Sequence, residues 1–162
     1  MHDLEDVAPA FVDMAHNIVW ASVATVDAHG RPRSRILHPY WEWDGERLIG
    51  SIATVPTRIK QSHLAHSPFV SCNYWNDAHD TCRAECKAEW KTDELTCTRV
   101  WDLYKHTEPP LGFDPAMIPH WRLPTDENFA VLQLEPWHLR VFPGTVLLSA
   151  GTVGTVREWY AA

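Results

Sequence analysis

The sequence predicts a mainly β (α+β) fold of six or seven antiparallel strands, closed or stacked into a small barrel with peripheral helices. Three observations carry this. Short runs rich in β-branched residues recur along the chain, each bounded by turn residues. The pair Asp44-Gly45 between two such runs is the strongest short-range hairpin signal. A sheet of that size must close or stack to bury its inner face, and 162 residues at 45% apolar content suffice for a core without disulfides or a structural metal.

Residues 4–16 place Leu4, Val7, Phe11, Met14 and Ala15 at helical spacing, with Asp3 as N-cap and Pro9 weakening the first turns. The run 18–26 reads as a strand and Asp27-Ala-His-Gly30 as its turn. A second strand spans Pro32 to Trp43 and a third Glu46 to Ile52. Residues 18–52 are therefore expected to form a three-stranded antiparallel meander. Pro56 opens a helix, Thr57 to His66, which Ser67-Pro68 stops. Strands follow at 69–75 and 81–90, joined through Asn76-Asp77-Ala78, with Ala84, Cys86, Ala88 and Trp90 sharing one face.

Thr92-Asp93-Glu94 caps a helix running to about His106. Residues 107–127 hold Pro109, Pro110, Pro115, Pro119 and Pro124, and a loop of that length is expected to lid a groove or cover a partner. Phe129 to Phe142 returns to strand character, interrupted at Pro136, and one more strand is expected near Thr145–Ser149. No repeat or low-complexity block divides the chain, so residues 1–162 read as a single domain.

Composition excludes several classes. The net charge of −7 argues against a general nucleic-acid binder. No apolar run is long enough to span a bilayer and no leader precedes one, so no membrane partner and a cytoplasmic location are expected. Cys72, Cys82, Cys86 and Cys97 form no CxxC pair. Together with His79 they match no zinc spacing, so no metal site is expected. Serine-hydrolase, P-loop and dinucleotide motifs are absent, and no catalytic acid or base stands out.

One constellation does suggest chemistry. Arg33 and Arg35 fall on one face of a strand, and Thr57-Arg58-Ile59-Lys60 opens the helix after the third strand. A helix N-terminus presents free N–H groups that favour phosphate. Arg35 with Arg58 or Lys60, near the hydroxyls of Ser51, Thr54 or Thr57, would make an anion cradle in an otherwise acidic protein. Ordinary solvated surface cations are the alternative.

The run Ala21–Arg35, then Gly50–Lys60 and His63-Leu-Ala-His-Ser-Pro68-Phe-Val-Ser, resembles the pyridoxamine 5′-phosphate oxidase-like, FMN-binding split-barrel superfamily over roughly residues 4–92. The resemblance implies a split β-barrel that binds FMN, with Arg35 and Lys60 gripping its phosphate and Arg58 assisting, beside the Thr57 hydroxyl already assigned to the cradle. It sets Ile36, Leu37 and His38 along the flavin ring, and places Ser51, Ile52 and Thr81 as further cofactor contacts. It also implies a homodimer with the cofactor at the interface. Tyr40 stands where relatives carry a second cation, and the C-terminal Arg signature of the true pyridoxamine oxidases is absent around Glu135–Arg140. The implied activity is thus flavin-dependent oxidoreduction of a small molecule, not oxidation of pyridoxamine phosphate. Alternatives are a deazaflavin coenzyme, or a non-catalytic flavin or haem carrier with His38, His63, His66 or His138 as axial ligand.

Overall fold

A computed structural model describes residues 2–161. The elements in chain order are α1 (Leu4–Ile18), β1 (Ala21–Val26), β2 (Pro32–Leu37), β3 (Tyr40–Trp43), β4 (Leu48–Thr54) and α2 (Arg58–His66). Next come β5 (Phe69–Trp75), β6 (Thr81–Lys91), α3 (Glu94–His106), β7 (Ala130–Phe142), α4 (Gly144–Leu148) and β8 (Arg157–Tyr160). Pro9 does sit inside α1, on its exposed side, where the missing N–H costs least.

The sheet is antiparallel and runs β2-β1-β5-β6-β7-β4-β3, with β8 added to β7. Six inter-strand steps at about 4.8 Å would hold β2 and β3 about 29 Å apart if the sheet were flat. Only His38 and Pro39 separate them in sequence. Three residue steps reach at most about 11 Å, so the sheet has to roll until its two ends meet. The roll is an antiparallel barrel with a seam, the mainly β architecture expected.

The three-stranded meander does not form. Pro32–Trp43 is two strands, β2 pairing with β1 and β3 with β4 at opposite ends of the sheet. Pro39 has no N–H to continue a ladder, so the chain breaks there and crosses the seam. That division helps bring the total to eight strands rather than six or seven. Pro136 does not interrupt its strand: β7 runs through it, and Trp137 is extruded as a bulge between the residues facing Cys86 and Glu85.

The strand expected near Thr145–Ser149 is instead the short helix α4. Its first residue, Gly144, lies so close to the β5–β6 turn that a Cβ would fall 1.9 Å from the Ala78 carbonyl oxygen, and its N–H donates to Asp80 at 2.7 Å. The last strand forms later, where residues 157–160 find the free edge of β7.

Two apolar clusters result. The larger fills the barrel under α1 and includes Phe11, Trp41, Ile52, Tyr74 and Leu139. The smaller lies outside, where α3 and residues 113–131 pack Trp101, Tyr104, Trp121 and Phe129 over β4 and β7. Cys72, Cys82 and Cys86 face the main core as free, buried thiols. Among the described residues no helix is long and apolar enough to cross a membrane.

Candidate functional site

The seam collects the polar groups. Arg35, near the end of β2, reaches back across β1: its Nη1 donates to Thr25 Oγ1 at 2.8 Å and to the Val23 carbonyl at 3.3 Å. Thr25 is buried and also meets His63 Nδ1 at 2.9 Å. Thr25 Oγ1 thus bridges the Arg35 guanidinium and the His63 ring. His63 lies on α2 three residues after Lys60, one turn along the same face.

Lys60 Nζ donates to Thr54 Oγ1, the last residue of β4, at 2.6 Å. Thr57 caps α2, its hydroxyl accepting from the Lys60 N–H at 3.4 Å. Burial, and then the charge of Arg35, pull the Lys60 ammonium down to about 8. Burial also disfavours the charge on Arg35. Among the described residues neither cation pairs with a carboxylate. Two half-buried cations that feel each other and lack an acidic partner are short of an anion.

Beside this cradle lies an apolar cavity of about 300 Å³. Ile36 and Leu37 on β2 form one wall, Ala53 of β4 another, and Phe113 and Trp121 come from the Pro-rich segment. That segment thus supplies part of the cavity wall. Two peptide steps, Arg35 to Ile36 and Thr54 to Ala53, join cradle and cavity. Trp20 completes the rim, aimed there by a γ-turn in which Val19 adopts φ 73°, a strained value for a β-branched residue.

His38 is buried between Trp20, Tyr104 and Phe113, with ring centroids 5.0–5.5 Å away. Burial, and less so the nearby His16, hold it neutral by pulling it down to about 4. A hydrogen bond to the Leu111 backbone pulls the other way, while Nε2 has no partner. Tyr104 ties the seam shut, its one hydroxyl proton lying between the carbonyls of His38 and Ser51.

The residues expected at the site therefore divide. Arg35, Lys60 and Thr57 converge on the cradle, and Ile36, Leu37 and His38 line the cavity. Ser51 is buried at the seam, and its Oγ has no partner. Ile52 points into the main core, away from the groove. Arg58 is solvent-exposed on α2. Thr81 is not brought to the cradle. It lines a separate small pocket with Asn73, Arg83 and Arg140. Thr25, Thr54 and His63 are the polar partners that the sequence reading assigned no phosphate role or only a general one.

Thr25→Val tests the Arg35 anchor. The guanidinium loses one hydrogen bond and His63 Nδ1 its only partner, so an anion held by Arg35 should bind about tenfold more weakly, about 1.4 kcal/mol. Calorimetry with FMN and with riboflavin, which lacks the phosphate, checks it. An equal loss for both ligands would mean that Thr25 matters only for packing.

No family model matches the chain, and no curated protein matches it in sequence. Solved structures do. A protein related to general stress protein 26, of the pyridoxinephosphate oxidase family, from Clostridium acetobutylicum superposes with a TM-score of 0.67 at 11% identity, over 91% of this chain and 89% of that one. An FMN-binding protein related to pyridoxamine 5′-phosphate oxidase, from Nostoc punctiforme, gives 0.61 at 13% over 88% and 85%. A haem-binding protein from Mycobacterium smegmatis gives 0.62 at 16%, over 99% of this chain and 59% of that one. The chain has the fold of these split barrels.

Proposed function

We propose that the chain binds FMN through its phosphate at Arg35 and Lys60 and acts as a flavin-dependent oxidoreductase on a small molecule. The carboxylate-free cation pair at the seam carries this reading. Arg35 offers a fork for two phosphate oxygens and Lys60 a point charge, with the Thr54 and Thr57 hydroxyls beside them. The partnerless Ser51 Oγ and the apolar wall next to the cradle suit a ligand with a charged end and a flat body. A bound flavin supplies the two-electron chemistry. The protein's share is to anchor the phosphate, orient the ring along Ile36–His38 and keep water out with the 107–127 segment.

A deazaflavin coenzyme, which also carries a phosphate, suits the same cations. Haem is less well supported: His63 and His138 are engaged by Thr25 and Glu158, His38 is walled in by aromatic rings, and His66 is exposed at the end of α2. Trp20, Ile36 and Ile59, each more than half exposed around the cradle, support a homodimer that shields the cofactor. Four reduced cysteines fit a cytoplasmic setting.

An absorption spectrum of the purified protein, as isolated and after adding FMN and desalting, tests the reading. A retained two-band flavin spectrum supports it, a single violet band moves it to the deazaflavin coenzyme, and a Soret band overturns it. The pH dependence is a second check. Lys60 must be charged to hold phosphate, and its pKa near 8 in the free protein is raised when phosphate binds. FMN affinity should therefore fall as pH rises through about 8, while riboflavin affinity stays flat across the same range. Titrations at about pH 6.5 and about pH 9.5, roughly one and a half units either side of that pKa, would show it.

A further inference from the structure

A second, larger cavity of about 560 Å³ opens at the opposite end of the strands from the cradle. Thr54, which holds Lys60, pairs with Ala130 at the start of β7, whereas this cavity reaches Val141 near the end of that strand. At about 3.3 Å per residue the two lie about 36 Å apart along β7. One wall is α1, which presents Ala10, Asp13, Met14 and Asn17 at the spacing of a single helix face. β8 brings Arg157 to the same cavity. Arg157 is the register partner of Val141, so its side chain takes the inner face of the sheet, which Leu139 and Trp159 keep apolar. On that face a cation has to meet an opposite charge or open water.

Three charged side chains line the cavity, and one of them is already satisfied. Asp80 accepts from the Gly144 N–H at 2.7 Å and from Asn76 Nδ2 at 3.3 Å, so both its oxygens are taken up within the wall. Asp13 and Arg157 are different. Among the described residues they form no ion pair, with each other or with any other group. Their elements are nonetheless tied together. The His2 N–H donates to the Glu158 carbonyl at 3.1 Å and the Glu158 N–H to His2 Nδ1 at 3.3 Å, which fixes the approach to α1 against β8. An acid and a base thus face one preformed hollow from fixed walls, over an apolar floor of Met14 and Val141.

We propose that this cavity binds a small zwitterion, an α-amino acid with an apolar side chain. Its carboxylate meets the Arg157 guanidinium, whose planar fork suits two carboxylate oxygens. Its ammonium meets the Asp13 carboxylate, and its side chain rests on Met14 and Val141. A simple anion at Arg157 would bring a like charge up to Asp13, and a simple cation at Asp13 would do the same to Arg157. A ligand carrying both signs satisfies both walls. The site uses no residue of the cradle or of the apolar slot beside it, so it stands apart from the flavin reading.

Calorimetry with L-leucine and its two halves tests this: isocaproate, which lacks the ammonium, and isoamylamine, which lacks the carboxylate. Leucine should bind at least about tenfold more tightly than either half, the scale of one charge-assisted hydrogen bond. Arg157→Gln should lower leucine to the level of isoamylamine and leave isoamylamine no weaker. Asp13→Asn should lower leucine to the level of isocaproate and leave isocaproate no weaker. Both side chains are exposed, so neither variant should change the melting temperature. Loading the protein with FMN should leave leucine's affinity as it was.

Leucine binding no tighter than its halves, or absent, would overturn the proposal. So would an equal loss of all three probes in either variant, since neither charge would then be read by its own partner. Displacement of leucine by FMN would also overturn it, by putting the amino acid in the cradle. Leucine binding with the stated pattern but no flavin binding would support this cavity and sink the flavin reading, and the reverse result would overturn this cavity alone.

Discussion

Arg35→Ala combined with Lys60→Ala should weaken FMN by at least about a hundredfold and leave riboflavin untouched. Each cation would contribute a charge-assisted hydrogen bond to phosphate, worth about 1.5–3 kcal/mol. The pair therefore accounts for about 3–6 kcal/mol, and the lower end of that range already exceeds a hundredfold. The same double variant should not lose thermal stability. Both cations are partly desolvated and repel each other, and neither holds a carboxylate that its removal would orphan. Their interactions within the chain are with Thr25, Val23 and Thr54, neutral groups. A fall in FMN affinity with an unchanged or higher melting temperature would therefore separate binding from folding. If FMN binds the double variant as it binds the parent, the phosphate is held elsewhere and the cradle assignment fails, though the fold does not.

The two cations were legible because their geometry is local. Alternation along a strand sets the face of Arg35, and a Pro-Thr helix start sets Lys60 beside a phosphate-friendly N-terminus. The partners that orient them were less so. Thr25 follows from the β1–β2 register, which pairs it with Arg33 and puts Arg35 on the diagonal. That register was implicit in the Asp27–Gly30 turn. His63 shares a helix face with Lys60, but nothing local says that the face looks at Thr25.

The seam is hard to read from the sequence for a local reason. Pro39 in the middle of a twelve-residue strand is a break signal, and the alternating pattern around it hid the fact that its two halves serve opposite ends of the sheet. The cavity was beyond sequence reasoning altogether. Its walls come from β2, β4, the Val19 turn and a Pro-rich segment without periodicity. Only closure of the roll brings them together.

Closure also fixes where the fold is most vulnerable. Trp41 on the four-residue edge strand β3 should be the costliest core truncation, with Trp41→Ala losing about 3–5 kcal/mol. Its ring is fully enclosed, stands edge-on to Phe11 at 4.9 Å, and donates its indole N–H to the Tyr74 hydroxyl at 2.8 Å. Truncation would leave a cavity and remove the partner of a hydroxyl that is itself entirely buried. The strand opposite has already made room for the ring. Gly50 is the register partner of Trp41, and a Cβ there would lie 2.7 Å from Cζ3.

That contact yields a sharper test than truncation alone. Gly50→Ala should cost about 1–3 kcal/mol in the parent, because backbone and a fully packed indole cannot both give way. In a Trp41→Phe background the smaller ring leaves space for the methyl, so the second change should cost less by about 0.5 kcal/mol or more. Urea midpoints for the four members of this cycle measure the coupling. Additive losses would mean that β3 shifts as a body to admit the methyl. The seam, which Tyr104 ties through the His38 and Ser51 carbonyls, would then be looser than the packing implies.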